Sequence, residues 1–176
     1  MQTLMVTNRR FAHFQRNVAS PRLNEIPEGG FCISSFVIIS ETGSPYHVLM
    51  GRLNKNAPWD HVGALDAERI ERLSKGWMLP SSGLLFGESP QDAAQRILKE
   101  QLGISDQTLQ GPLVFSETYG HRNHWDLEFL FLGERGKVPK HEVWSELQFV
   151  DLTKTTKEEI ARSHEDILAR VNKWKT

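Results

Sequence analysis

The segment from Trp77 to Ile104 constrains this chain more than any other, because inside it a helix has both of its ends written out. Ser89 precedes Pro90 and stands three residues before Asp92, the pattern of a helix start. A hydroxyl there accepts an early backbone N–H, a proline ring removes a donor that had no partner, and the acid meets the positive end of the dipole. Gly103 supplies the stop, since glycine takes the left-handed conformation that ends many helices. At ~100° per residue, Ala93, Ala94, Ile97, Leu98, Gln101 and Leu102 fall on one half of the helix, and Gln95, Arg96, Lys99 and Glu100 on the other. Gln101 is therefore expected inside the apolar arc, beside Ile97.

Around this helix, the run Trp77-Met78-Leu79-Pro80, Ser82, Gly87-Glu88-Ser89-Pro90, Arg96, Glu100 and Gly103-Ile104 resembles the Nudix box, in a degenerate form. The family's box is written G-x5-E-x7-R-E-U-x-E-E-x-G-U, with U aliphatic, and forms a loop, a helix and a second loop that hold divalent metal against a diphosphate. Here Ser82 stands at the lead glycine, Glu88 at the first glutamate and Arg96 at the arginine. Ile97 replaces the next glutamate, Leu98 is the aliphatic, Glu100 survives, Gln101 replaces its neighbour, and Gly103 and Ile104 close the box.

The resemblance implies an α/β fold, a Nudix-type α/β/α sandwich with a mixed β-sheet between helices. It implies cleavage of a nucleoside diphosphate linked to another moiety, by water attack on phosphorus with metal stabilising the charge on oxygen. Acids at positions 97, 100 and 101 would share a helix face and converge on Mg²⁺ or Mn²⁺. An aliphatic and a neutral amide in two of those places remove two formal charges, so the implied metal site is weakened to Glu100 with Glu88. Glu100 is the candidate metal ligand or water-orienting base, Glu88 a ligand or its supporter, and Arg96 their organiser. Glu88 has a structural reading beside this one, as a partner of Arg96 or of the helix N-terminus.

For phosphate, the candidates are Arg52 at the end of the second strand, Lys99 on the polar side of the helix and Arg122 in a later turn, each also readable as a surface charge. Tyr119, Trp59 or Trp77 could stack a base, with Trp77 better read as core. Glu117, His121, His124 and Glu128 gather in sequence around Tyr119-Gly120, where a later carboxylate serves as base in some family members. His121 and His124 have a spacing that a softer metal such as Zn²⁺ accepts, although such residues at a hairpin are ordinarily solvated.

At 176 residues the chain is long enough for one domain with a sizeable core. Its 21 Lys and Arg against 22 Asp and Glu argue for neither nucleic acid nor membrane as the overall partner; a small nucleotide or diphosphate ligand is what the resemblance implies. A homodimer is compatible with this composition. Cys32 has no second cysteine to pair with and sits in an apolar run too short to span a bilayer. No secretory leader pattern opens the sequence, which makes a cytoplasmic protein the expectation.

Residues 1–30 form an arm expected to pack on the domain, with Arg9, Arg10, Arg16 and Arg22 interleaved with Phe11, His13 and Phe14. A basic and aromatic mixture of this kind also suits RNA. Residues 31–176 are expected to form the domain. Strands are expected over Phe31–Ser40 and Tyr46–Leu53 as a hairpin, at Trp77–Leu79, and over Leu109–Tyr119, His124–Leu132 and Val143–Leu152. Asn54–Gly63 reads as loop, and a short helical insertion is expected at about 64–76. A closing helix is expected from Thr155 or Thr156, each followed three residues later by Glu, with Ile160, His164, Ile167, Leu168, Val171 and Trp174 as its apolar stripe. Three functional classes follow: a divergent hydrolase, a Nudix-fold nucleotide-binding or regulatory module without turnover, and a protein- or RNA-interaction domain.

Overall fold

The structure is a computed structural model that describes residues 31–73, 75–119, 124–139 and 141–174. The arm of residues 1–30 lies outside them. In chain order come β1 (Phe31–Glu41), β2 (Ser44–Leu53), α1 (Trp59–Val62), α2 (Ala67–Leu73), β3 (Ser81–Gly83), α3 (Pro90–Leu102), β4 (Gln110–Tyr119), β5 (His124–Arg135), β6 (Trp144–Asp151) and α4 (His164–Arg170). The strands form one mixed sheet in the order β4-β5-β1-β2-β6, with β3 attached to β1. Strand β1 runs parallel to β5 and antiparallel to β2 and β3.

The box begins inside this sheet. Strand β1 has β5 along one edge, so β3 at Ser34–Phe36 and β2 at Ser40–Glu41 share the other. Between them the incoming segment is pinned by Met78 bridging Gly51 and by Val37 N–H donating to the Pro80 carbonyl at 2.9 Å.

Alternation along β1 then builds two layers of core, because successive strand side chains point to opposite faces. Val37 and Ile39 meet Ala94, Ile97, Leu98 and Leu102 of α3 on one face. Phe36 and Ile38 meet Ile167 and Leu168 of α4 on the other. The result is the α/β/α sandwich expected from the sequence.

Three local readings need correction. Asn54–Gly63 is not all loop, since Trp59–Val62 makes one helical turn that buries Trp59 and Val62. The segment at Trp77–Leu79 contributes isolated bridges, and the strand itself comes later, at Ser81–Gly83. The closing helix starts at His164 and not at Thr156. The capping box does form, but it opens only a 3-10 turn over Lys157–Glu159. Ile160 is extended because it bridges Trp77, with Trp77 N–H donating to the Glu159 carbonyl at 2.8 Å and Ala161 N–H to the Trp77 carbonyl at 2.9 Å. Arg162 and Ser163 then turn through left-handed backbone before α4 begins. A sheet contact 83 residues away in sequence (160 minus 77) thus overrides the local helix signal.

His164 is buried, and its Nδ1 accepts from the Leu79 N–H at 2.9 Å. Burial, and after it the Arg162 charge, hold its pKa well below the ordinary imidazole value, so it packs as a neutral ring edge-on to Phe36.

Gly51 on β2 faces the ring of Trp144, and a Cβ there would lie 2.2 Å from Trp144 Cε3. We expect Gly51→Ala to displace that indole and to lower stability by about 1–3 kcal/mol, the usual result of overpacking. Urea unfolding measures this, and an unchanged midpoint would show that the indole is not held against the strand.

Candidate functional site

The loop that leads into α3 is organised by one ion pair. Arg96 donates Nε to Glu88 Oε1 at 2.7 Å and Nη2 to Glu88 Oε2 at 2.8 Å. The same guanidinium donates to the Gly83 carbonyl at 2.9 Å and to Ser82 Oγ at 3.3 Å. Glu88 Oε2 also accepts from the Leu85 N–H at 2.9 Å. Side-chain exposures of 9% for Arg96 and 11% for Glu88 put the pair under the loop. A turn closed by Glu88 N–H to the Leu85 carbonyl carries the chain across, with Gly87 at φ +83° where a side chain would be strained. Both carboxylate oxygens of Glu88 therefore face this frame.

The next turn of α3 places Ile97 and Gln101 where the periodicity puts them. Ile97 is fully buried among Val37, Ile39, Leu49 and Phe131. Gln101 is fully buried too, and its amide behaves as a strand residue would toward Ser81. Oε1 accepts from the Ser81 N–H at 3.2 Å, and Nε2 donates to the Ser81 carbonyl at 2.8 Å. The second Nε2 hydrogen goes to the Val62 carbonyl at the end of α1, at 2.9 Å. The backbone carbonyl of Gln101, one of the last in α3, accepts from Trp144 Nε1 at 2.8 Å.

The other candidates are spread out. Glu100 is half-buried and Lys99 exposed on the opposite side of α3. Arg52 donates to the Lys75 carbonyl, stands 3.3 Å from Glu146 and lies 4.3 Å over the Trp77 ring, which belongs to the core beneath α4 rather than α3. Trp77 and Trp59 are both core residues. The side chains of Glu117, Tyr119, His121, Arg122 and His124 lie outside the described residues.

Glu128 is almost fully buried and is ion-paired with Arg170 of α4, whose guanidinium also lies 5.2 Å over Phe115. Alternation on β5 carried the signal for this pair, since it puts Glu128 on the Leu130 face toward the last helix. Cys32 is a free thiol whose pKa is pushed up to about 12 by burial and then by Asp126, which favours the protonated form at neutral pH.

No family model matches the sequence, and no curated protein does. Solved structures share its fold. A MutT protein from Methanosarcina mazei Go1 is 17% identical over 84% of this chain and 95% of that one, at TM-score 0.58. The NUDIX domain of Shewanella oneidensis NrtR, complexed with ADP ribose, is 13% identical over 80% of this chain and 86% of that one, at TM-score 0.56. A bifunctional NMN adenylyltransferase/ADP ribose pyrophosphatase from Francisella tularensis, complexed with AMP and a Mn ion, is 15% identical over 83% of this chain and 42% of that one, at TM-score 0.55. The fold is the Nudix fold.

In the box that the sequence resembles, acids stand at positions 97, 100 and 101, and the donors present here do not fit a divalent ion in that arrangement. Ile97 offers no oxygen. The Gln101 oxygen is taken by Ser81, and its nitrogen points hydrogens at two carbonyls. The Glu88 oxygens are held by Arg96 and Leu85. Among the described residues no three His, Cys, Asp or Glu side chains gather as a metal-holding group.

A carboxylate at 101 would accept from Ser81 N–H but would meet the Ser81 and Val62 carbonyls with no hydrogen to offer. We expect Gln101→Glu to lower stability by about 3–5 kcal/mol at neutral pH. Burial raises the introduced carboxyl's folded pKa above the unfolded value of ~4.3. The folded form then binds the extra proton, so the deficit relative to the parent is smallest at low pH and grows as pH rises through the window between the two pKa values. Urea titrations across that range measure it, and a deficit independent of pH would show that the new carboxylate reaches water or a cation.

Proposed function

We propose that this chain is a Nudix-fold module that binds a nucleotide or a nucleoside diphosphate derivative without hydrolysis at the box helix. The observation that carries this reading is the Gln101 amide, which stands where the resembled box has a glutamate and makes a fully buried set of hydrogen bonds between α3, Ser81 and Val62. Ile97 in the core beside it supports the same conclusion. Ligand binding is supported by the folding neighbours, since the NrtR domain was solved with ADP ribose and the Francisella protein with AMP. Fold and chemistry separate easily, since one scaffold hosts sites of many kinds.

A second reading, a divergent hydrolase, is favoured by Glu100, which stays on the polar side of α3 clear of the core cluster. In that case Glu100 with a ligand from another loop would orient water and hold Mg²⁺ or Mn²⁺.

One set of samples separates the two. With ADP-ribose in Mg²⁺ or Mn²⁺ we expect a rise in melting temperature of roughly 5–10 °C at a hundredfold excess over Kd. No AMP or ribose phosphate should form in the same tubes. Metal-dependent product that disappears in Glu100→Gln would replace this reading with the hydrolase. A flat melting temperature across a panel of nucleoside diphosphate derivatives would remove the ligand-binding claim.

A further inference from the structure

The two edges of the sheet are built differently. Strand β6 closes one edge, and the residues it exposes, Ser145, Glu146 and Gln148, are polar. Strand β4 closes the other, and among the described residues its one strand partner is β5. The opening of β4 is blunted by Pro112, which has no N–H, and by a register shift between Gln110 and Leu113. From Leu113 to Tyr119 it then pairs with β5 one residue to one, with no lysine, arginine or proline, and it exposes Leu113 at 42% and Val114 at 55%. A regular strand carries N–H and C=O groups along both sides, so the side of β4 away from β5 presents a row of them that a further strand satisfies in register.

We propose that this edge pairs with the same edge of a second copy, β4 antiparallel to β4, about a twofold axis at Ser116. Ser116 is the midpoint of the regular stretch, so this register uses every residue from Leu113 to Tyr119 in both chains. It sets Leu113 opposite Tyr119, Val114 opposite Thr118 and Phe115 opposite Glu117 of the second copy. On the α3 face, Thr118 has Trp125 as its own neighbour on β5, and that indole is 47% exposed. Val114 of one copy and Trp125 of the other therefore lie in one row with a single threonine between them. Their backbones stand two strand spacings apart, about 10 Å, a gap that an indole and an isopropyl group close from both ends.

Charge fits the same register. Glu117 is the one charged residue between Leu113 and Tyr119, and it comes opposite Phe115 of the second copy, over whose ring the Arg170 guanidinium lies at 5.2 Å. Symmetry makes this juxtaposition twice. A contact that uses the same edge in both copies also closes on itself, giving a dimer and not a filament, and it leaves the polar β6 edges outermost.

The test uses the full-length chain. Sedimentation is expected to show the weight-average mass rising from one chain toward two between about 1 and about 100 µM, since an edge contact lies at the small end of specific interfaces. Val114→Lys should hold it at one chain over that range, with an unchanged circular dichroism spectrum. In a Cys32→Ser background, Ser116→Cys should form a disulfide-linked dimer on mild oxidation, because opposed residues at the axis have Cα atoms ~4.5–5.5 Å apart, within reach of the bond. Ser145→Cys on the β6 edge should form none. One chain at every concentration would overturn the proposal, and so would a dimer that survives in folded Val114→Lys, or one that Ser145→Cys links and Ser116→Cys does not. If Val114→Lys fails to fold, the two cysteine variants decide alone.

Discussion

The side-chain amide of Gln101 ties three parts of this protein at one point: the last turn of α3, Ser81 at the start of the box loop, and Val62 at the end of α1. An amide can do this because it presents an acceptor and two donors, whereas a carboxylate of the same shape presents acceptors alone. The same turn of helix is anchored from the other side by the Trp144 indole, which donates to the Gln101 carbonyl and stacks edge-on against Trp59 with ring centroids 4.7 Å apart. The flat approach of Trp144 to β2 needs the bare backbone of Gly51. A small polar network thus joins α1, α3, β2 and β6, and because it is buried, each member that loses its partner becomes costly.

The box divides physically into two halves with different work. Glu88 and Arg96 shape the loop, and they do so entirely with hydrogen bonds inside the protein, to each other, to the Gly83 carbonyl, to Ser82 Oγ and from the Leu85 N–H. That half needs no metal, so a loop of box geometry stands without one. Positions 97 and 101 lie about one helical turn apart in the apolar arc, where only the charge of a bound ion would justify carboxylates, and here an aliphatic and an amide stand in core packing.

Much of this was legible in the residues. The bounds of α3 follow from Ser89-Pro90 and Gly103, and in the structure Ser89 Oγ accepts from the Asp92 N–H while Gly103 takes a φ of +65°. Periodicity alone put Gln101 beside Ile97 on the apolar side. What it could not supply were the partners, because Val62, Ser81 and Trp144 are brought there by α1 and two strands remote in sequence. The same limit explains the closing helix. Thr156 and Glu159 form the capping box that the pattern indicates, yet Ile160 is drawn into a bridge with Trp77, and tertiary pairing outweighs the propensity of the next turn. Glu128 was readable as one of several acids near a hairpin, while its burial against Arg170 depends on how α4 docks.

The residues at 97 and 101 belong together for an energetic reason. In a helix with both acids, a cation offsets their mutual repulsion and their burial. Remove one acid and the cation is held less tightly, so the other becomes a buried charge without adequate compensation, a situation worth several kcal/mol against folding. An amide at 101 resolves that conflict without altering shape, and an aliphatic at 97 adds burial of about 1.5–3 kcal/mol where a charge had to be solvated. Once Ile97 is packed against Val37, Ile39 and Phe131, a carboxylate returned to that position would enter an apolar cluster rather than a cation site. The present arrangement is therefore self-consistent as structure, and carboxylates at both positions would require their surroundings to change with them.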